Sequence, residues 1–166
     1  MLDVSIEQII QAAQPKKAKI YKILLGLALI APLVVIMYAP AVMVLAEAIL
    51  VVMNVLLYQY YDAEYEYTLV EKTLDIDRVM AKKRRKHMET FDLSKLEIMA
   101  PEGHEKLETY ERMNCKVLDY SSGMKKDAEY IAFINTGAGM LKVILEPDEK
   151  FLDAFTKINS RKIFLK

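Results

Sequence analysis

The chain is poor in the residues that usually announce chemistry. It has one cysteine, Cys115, so no intrachain disulfide can form. It has two histidines, His87 and His104, far apart in sequence, and no Cys/His spacing resembles a zinc site. There is no excess of either charge: 23 basic residues balance 23 acidic ones, which removes any bulk electrostatic pull towards nucleic acid. Glycine is scarce, and Gly137-Ala138-Gly139 matches only part of a phosphate-binding loop; it reads as a hairpin turn. Ser121 and Ser122 have no histidine at a recognisable spacing, and Cys115 has no motif around it. Nothing supports nucleophilic catalysis, and an enzyme, a cofactor and a metal are not expected.

What the chain does have is one long apolar run. From Ile23 to Leu57 only Glu47 carries a charge. As a single straight helix the run would be about 50 Å long at ~1.5 Å per residue. The hydrocarbon core of a bilayer is only ~30 Å thick. The run is therefore expected to form two short spans, about 20–37 and 41–60, turned at Tyr38-Ala39-Pro40, where Pro40 biases Ala39 away from helix. Lys16, Lys17, Lys19 and Lys22 precede it, and Tyr58, Tyr60 and Tyr61 close it. These suit the membrane interface and favour a cytoplasmic position for both ends. A cleaved signal peptide would have a shorter apolar core. A buried hairpin of a soluble protein would need a second apolar surface of matching size.

Two polar residues interrupt the run. Glu47 and Asn54 are seven apart and share a helix face. They read as an intramembrane polar site or as contact glue. The plainer alternative is a protonated Glu47, or one facing a partner helix or a second copy. Ahead of the run, Ile6, Ile9, Ile10 and Ala13 fall on one face of a short amphipathic helix over 2–14. Ser5 would cap it and Gln8 would complete a capping box. Such a helix would lie on the membrane or pack on the domain.

After Asp62 the period changes to that of strands. Tyr65, Tyr67 and Leu69 alternate with Glu64, Glu66 and Thr68. Leu74 and Ile76, then Met88 to Leu93, continue the pattern, and Leu96, Ile98 and Met99 before Pro101 read as a short turn or a fourth strand. Pro101 to Arg112 is charged and reads as a loop with at most one helical turn. Cys115–Tyr120, Glu129–Asn135 and Met140–Leu145 are further strands. Asp148 caps a closing helix whose Phe151, Leu152, Phe155 and Ile158 form one stripe. The expected fold class is α+β: an N-terminal transmembrane helical hairpin, then an antiparallel sheet or small barrel with a helix across one opening. The expected divisions are an amphipathic segment (1–19), the hairpin (20–61) and a cytoplasmic domain (62–166).

Four stretches carry a likeness: Tyr65-Glu66-Tyr67-Thr68-Leu69, Leu74-Asp75-Ile76-Asp77-Arg78, Asp92-Leu93-Ser94-Lys95-Leu96-Glu97 and Glu146-Pro147-Asp148-Glu149. With them the chain resembles the bacterial membrane-anchored PH-like proteins, in a subgroup of short chains of unknown function. The resemblance covers nearly the whole chain in layout, and it implies a fold more than an activity. The charged Pro101–Arg112 stretch has no counterpart in it.

The basic run Lys82, Lys83, Arg84, Arg85 and Lys86 is the leading candidate site. On a hairpin turn near a bilayer it could bind anionic headgroups at about 1 kcal/mol per residue, and the resemblance points the same way. The alternative is a solvated turn that obeys the positive-inside bias. Without interleaved aromatics the run does not read as a nucleic-acid site. Asp75 and Asp77 share a strand face but offer too few oxygens for a metal, so pairing with Lys or Arg on the next strand is expected. The expected function is a membrane-anchored, non-enzymatic module that binds lipid headgroups, a protein partner or another copy of itself. A subunit of a membrane transport or secretion complex is the alternative.

Overall fold

The computed structural model describes residues 5–12, 16–30, 40–124, 129–137 and 139–165. The chain forms two compact units. One comprises residues 1–13, 64–79 and 84–166, and the other residues 14–63 and 80–83.

The first unit is built from two four-stranded sheets. Sheet A has the order β1 (Ile6–Gln11), β2 (Ala63–Val70), β3 (Thr73–Met80), β4 (Arg84–Asp92). Sheet B has the order β5 (Leu96–Pro101), β7 (Tyr130–Asn135), β8 (Met140–Leu145), β6 (Lys116–Asp119). A 3-10 turn at Leu93–Lys95 carries the chain from β4 to β5. Asp92 caps it by accepting from the Ser94 amide at 2.9 Å, and this bond holds the Asp92 carboxyl below the usual range.

One apolar cluster joins the sheets. Tyr67, Leu74, Ile76 and Phe91 of sheet A meet Leu96, Met99, Ile134 and Val143 from sheet B. Phe151 and Phe155 of the closing helix α4 (Glu149–Asn159) complete it. Asp148 caps α4 as expected, accepting from the Phe151 amide at 2.9 Å. Strand β7 is buried on both faces, which explains its continuous apolar run. Its second face packs Ile131 and Phe133 with Ile98, Ala100 and Leu107. Leu107 comes from the charged stretch after Pro101, which forms a 3-10 turn and one α-turn, α3 (Glu108–Glu111). That stretch is a lid over the outer face of sheet B.

Three expectations are corrected here. The segment over 2–14 is not an amphipathic helix. Its described part forms β1, antiparallel to β2 with Gln8 opposite Tyr67 and Gln11 opposite Glu64. The β-branched Ile6, Ile9 and Ile10 suit a strand as well as a helix stripe. Gln8 closes no capping box: its side-chain amide donates to the Glu146 carbonyl at 2.9 Å, and its oxygen accepts from the Asp148 amide at 2.9 Å.

The domain is also not a closed barrel or a purely antiparallel sheet. The two sheets are separate, and β6 runs parallel to β8. The 3-10 turn after Asp92 redirects the chain, so β5 starts a new sheet instead of extending the first.

Nor is a two-span transmembrane hairpin found ahead of the sheets. Among the described residues only α2 (Pro40–Tyr61, 22 residues) is long and apolar enough to cross a membrane. At ~1.5 Å per residue it measures about 33 Å. The described helix before it, α1 (Lys16–Ala28), has 13 residues and reaches only about 20 Å. The turn placed at Tyr38-Ala39-Pro40 lies outside the described residues except for Pro40, which is the first residue of α2, where a missing N–H is tolerated. The helical unit, moreover, does not precede the sheet; it is inserted between the neighbouring strands β1 and β2.

Candidate membrane and headgroup site

The second unit presents bare apolar surface. None of the α2 window from Val44 to Tyr61 is buried. Val44, Leu45, Val52 and Leu56 are each more than half exposed. A soluble monomer rarely leaves so much contiguous apolar surface in water. At the far end of α2 the character changes. The Lys22 ammonium of α1 sits 3.7 Å from the centre of the Tyr58 ring, and Tyr60 and Tyr61 stack edge to face. Cationic and aromatic side chains thus cluster at one end of the apolar helix.

The turn between β3 and β4 belongs to this same unit. The Asp62 carbonyl, just past the end of α2, accepts from the Ala81 amide at 2.8 Å. The Lys83 amide donates to the Met80 carbonyl at 3.1 Å, closing a four-residue turn. Its two central residues, Ala81 and Lys82, have φ of 49° and 55°. Two left-handed residues give the backbone of a type I′ hairpin, which ordinarily takes Asn-Gly. Alanine and lysine there cost about 1 kcal/mol each. The Ala81–Asp62 bond brings this turn, and Lys82 with it, to the C-terminal, negative end of the α2 dipole.

The basic run is therefore not one turn. Lys82 and Lys83 lie in the turn, with the helical unit. Arg84, Arg85 and Lys86 start the edge strand β4 of sheet A. All five side chains are exposed. Arg85 is partly spent: it pairs at 3.0 Å with Glu66, whose side chain is 6% exposed. The other four form no ion pair among the described residues.

Asp75 and Asp77 do pair across to β4, but with other partners than Lys or Arg. His87 Nδ1 lies 2.9 Å from Asp77, its Nε2 lies 3.1 Å from the Thr90 hydroxyl, and that hydroxyl donates to Asp75 at 2.5 Å. His87 and Thr90 carried no signal in the sequence, because the chain is cross-strand and needs the β3–β4 register. It lies open to solvent on the strand surface. Among the described residues no group of three or more His, Cys, Asp or Glu side chains could hold a metal.

The two intramembrane candidates separate. Asn54 faces a cleft in the helical unit that also contains Val51, Val55 and Tyr58. Glu47 does not line it. One of its carboxylate oxygens, Oε2, is buried and has no hydrogen-bond partner among the described residues.

A family model described as a bacterial PH-like domain (DUF6106) matches residues 2–165. The chain belongs to that family. No curated protein and no solved structure matches it. The matched range takes in the helical unit as well as the sheets. PH-like domains commonly bind lipids or proteins and are generally non-catalytic, which makes an interaction module the reading for this one.

Proposed function

We propose that this PH-like protein is a membrane-anchored interaction module. The helical unit lodges in the bilayer through α2, and the sheet unit works at the cytoplasmic face. The observation that carries this reading is the unburied apolar surface of α2 from Val44 to Tyr61. Exposed in water, such a surface costs ~25 cal/mol per Å². The β1–β2 pairing supports the placement of both termini on one side. The chain leaves sheet A at Gln11 and rejoins it beside the same strand at Ala63, whatever path the intervening residues take. The lysines in the first two turns of α1 and the basic run after β3 favour the cytoplasmic side.

Lys82, Lys83, Arg84 and Lys86 then attract anionic headgroups, with Arg85 contributing less because Glu66 holds it. At about 1 kcal/mol each, four free cations are worth about 4 kcal/mol at low salt. Two measurements test the proposal on the full chain. Alkaline carbonate washing should leave it in the membrane pellet; release into the wash refutes the anchor. Immobilised in mild detergent, the chain should capture anionic lipid from mixed micelles. Replacing Lys82, Lys83, Arg84, Arg85 and Lys86 by glutamine should abolish that capture, and unchanged capture refutes headgroup binding.

A second reading, a subunit of a larger membrane complex, is favoured by Glu47 Oε2. A buried carboxylate oxygen without a donor among the described residues suits a partner helix that supplies one. A chain that purifies alone and monomeric in mild detergent counts against it.

A further inference from the structure

The helical unit contains a cleft of about 480 Å³. That volume lies within the range of small-molecule sites, ~300–1,000 Å³. Its walls sort by position along α2. Leu29, Val51, Asn54 and Val55 line the end towards the middle of α2, and Tyr58, Asp62 and Lys82 line the end where α2 stops, which we take as the mouth. From Val51 to Asp62 the wall rises about 16 Å at ~1.5 Å per residue. This is about half of the ~30 Å hydrocarbon core, the depth of one leaflet. The mouth therefore coincides with the end of α2 that carries the Tyr58–Lys22 contact and the Tyr60–Tyr61 pair.

The charges at the mouth are of both signs. Lys82 is exposed, held in place by the strained turn and the Ala81–Asp62 backbone bond. The Asp62 side chain is half-buried and lines the same cleft. Neither side chain makes an ion pair among the described residues. A cation and a carboxylate lining one cleft favour a purely anionic headgroup less than a cation alone would. They match one that carries a phosphate next to a primary ammonium.

The geometry points to a phospholipid site: one acyl chain lies along Leu29, Val51 and Val55, the phosphate meets Lys82, and the headgroup ammonium donates to Asp62. The occupant is a lipid of the phosphatidylethanolamine class from the leaflet at the C-terminal end of α2. A quaternary choline ammonium has no N–H to give Asp62, and a glycerol headgroup has no positive charge. The site rests on the membrane placement proposed above, but its selectivity differs from the anionic attraction of the basic run.

The test uses the full chain, taken from detergent into nanodiscs or vesicles. Flotation with pure phosphatidylcholine vesicles reports membrane insertion alone. Native mass spectrometry of protein released from equimolar phosphatidylethanolamine, phosphatidylglycerol and phosphatidylcholine reports the retained lipid. In a chain whose Lys83, Arg84, Arg85 and Lys86 are replaced by glutamine, so that the basic run no longer draws anionic lipid, phosphatidylethanolamine is expected to exceed the other two by about tenfold, the value of one charge-assisted hydrogen bond. Asp62→Asn should abolish the preference over phosphatidylglycerol while leaving insertion intact. Val55→Phe, at a half-exposed position that does not support the fold, should fill the cleft and lower retention of phosphatidylethanolamine. Failure to float overturns both the membrane placement and the site. Flotation with equal retention of the three lipids, or a preference unchanged in Asp62→Asn, overturns the site alone.

Discussion

Removing the hydroxyl of Tyr67 should loosen the sheet unit more than any other single-atom deletion. Tyr67 is fully buried on β2 of sheet A. Its hydroxyl donates to the Tyr120 carbonyl at 2.6 Å and accepts from the Glu146 amide at 3.4 Å. Tyr120 follows β6 and Glu146 follows β8, so one oxygen ties sheet A to the ends of two strands of sheet B. Tyr67→Phe leaves a carbonyl and an amide without that partner in a buried place. One such group costs about 1–3 kcal/mol, and the long second bond adds little, so the loss should be about 2 kcal/mol. For a unit of this size that is a fall of about 8 °C in Tm. The assay is thermal unfolding of the full chain in mild detergent, followed by the near-ultraviolet signal of the tyrosines. Tyr65→Phe is the control, because its hydroxyl makes no hydrogen bond among the described residues; it should change stability by about 0.5 kcal/mol or less. Alkali provides a second reading. Burial pushes the Tyr67 hydroxyl far above its ordinary value and the Tyr120 hydroxyl up to about 12. Above pH ~10 the unfolded chain releases both protons while the folded chain keeps them, so stability falls as pH rises. Each group contributes about 1.4 kcal/mol per pH unit in that window. Tyr67→Phe should therefore flatten the alkaline slope between pH 10 and 12. A variant with wild-type Tm and an unchanged alkaline slope would refute the reasoning.

Two further outcomes can be read in the same melt. Gln8→Leu removes both side-chain bonds from β1 to the approach of α4 and should cost about 1–2 kcal/mol; a neutral result would mean that β1 is held by its ladder alone. Ala81→Gly should raise stability by about 0.5–1 kcal/mol by relieving the left-handed strain, and a fall in Tm would show that the turn is not strained.

How much of this was legible in the sequence depended on whether the deciding contact was local. β2, β3, the second half of β4, β6, β7 and β8 were readable because their residues alternate or run apolar between short turns, while β5 read equally as a turn. The cap of α4 was readable because Asp148 acts on an amide three residues away. β1 was not readable as a strand. Ile6, Ile9 and Ile10 satisfy a helical period over so short a window, and the strand that decides the matter begins at Ala63, beyond the helical unit. The start of β4 was missed for a different reason. An exposed edge strand blunted by Arg84, Arg85 and Lys86 has no apolar alternation to reveal it. The candidate site was half legible. Charge and hydropathy marked the basic run, Glu47 and Asn54. They could not show that Glu66 engages Arg85, that Asp77 meets His87, or that Asp62 and Lys82 share the mouth of a cleft.

The insertion of the helical unit between two paired strands has an energetic consequence. A tight hairpin would join β1 to β2 through two residues; here roughly fifty intervene. Closure cost grows by about 0.6 kcal/mol per doubling of length, so the longer connection costs sheet A at most about 3 kcal/mol. Helical order within the insertion lowers that figure. The counterweight lies at one level of the ladder, where Gln8 and Tyr67 stand opposite each other. Gln8 holds the Glu146 carbonyl and the Asp148 amide, and Tyr67 holds the Tyr120 carbonyl and reaches the Glu146 amide. At about 1 kcal/mol per bond these contacts contribute about 3–4 kcal/mol, the same size as the closure cost. The clasp sits three residues from Gln11, where the chain departs for the helices. It is therefore placed to keep β1 in register while the helical unit is held by something else, and in the reading proposed here that something is the bilayer.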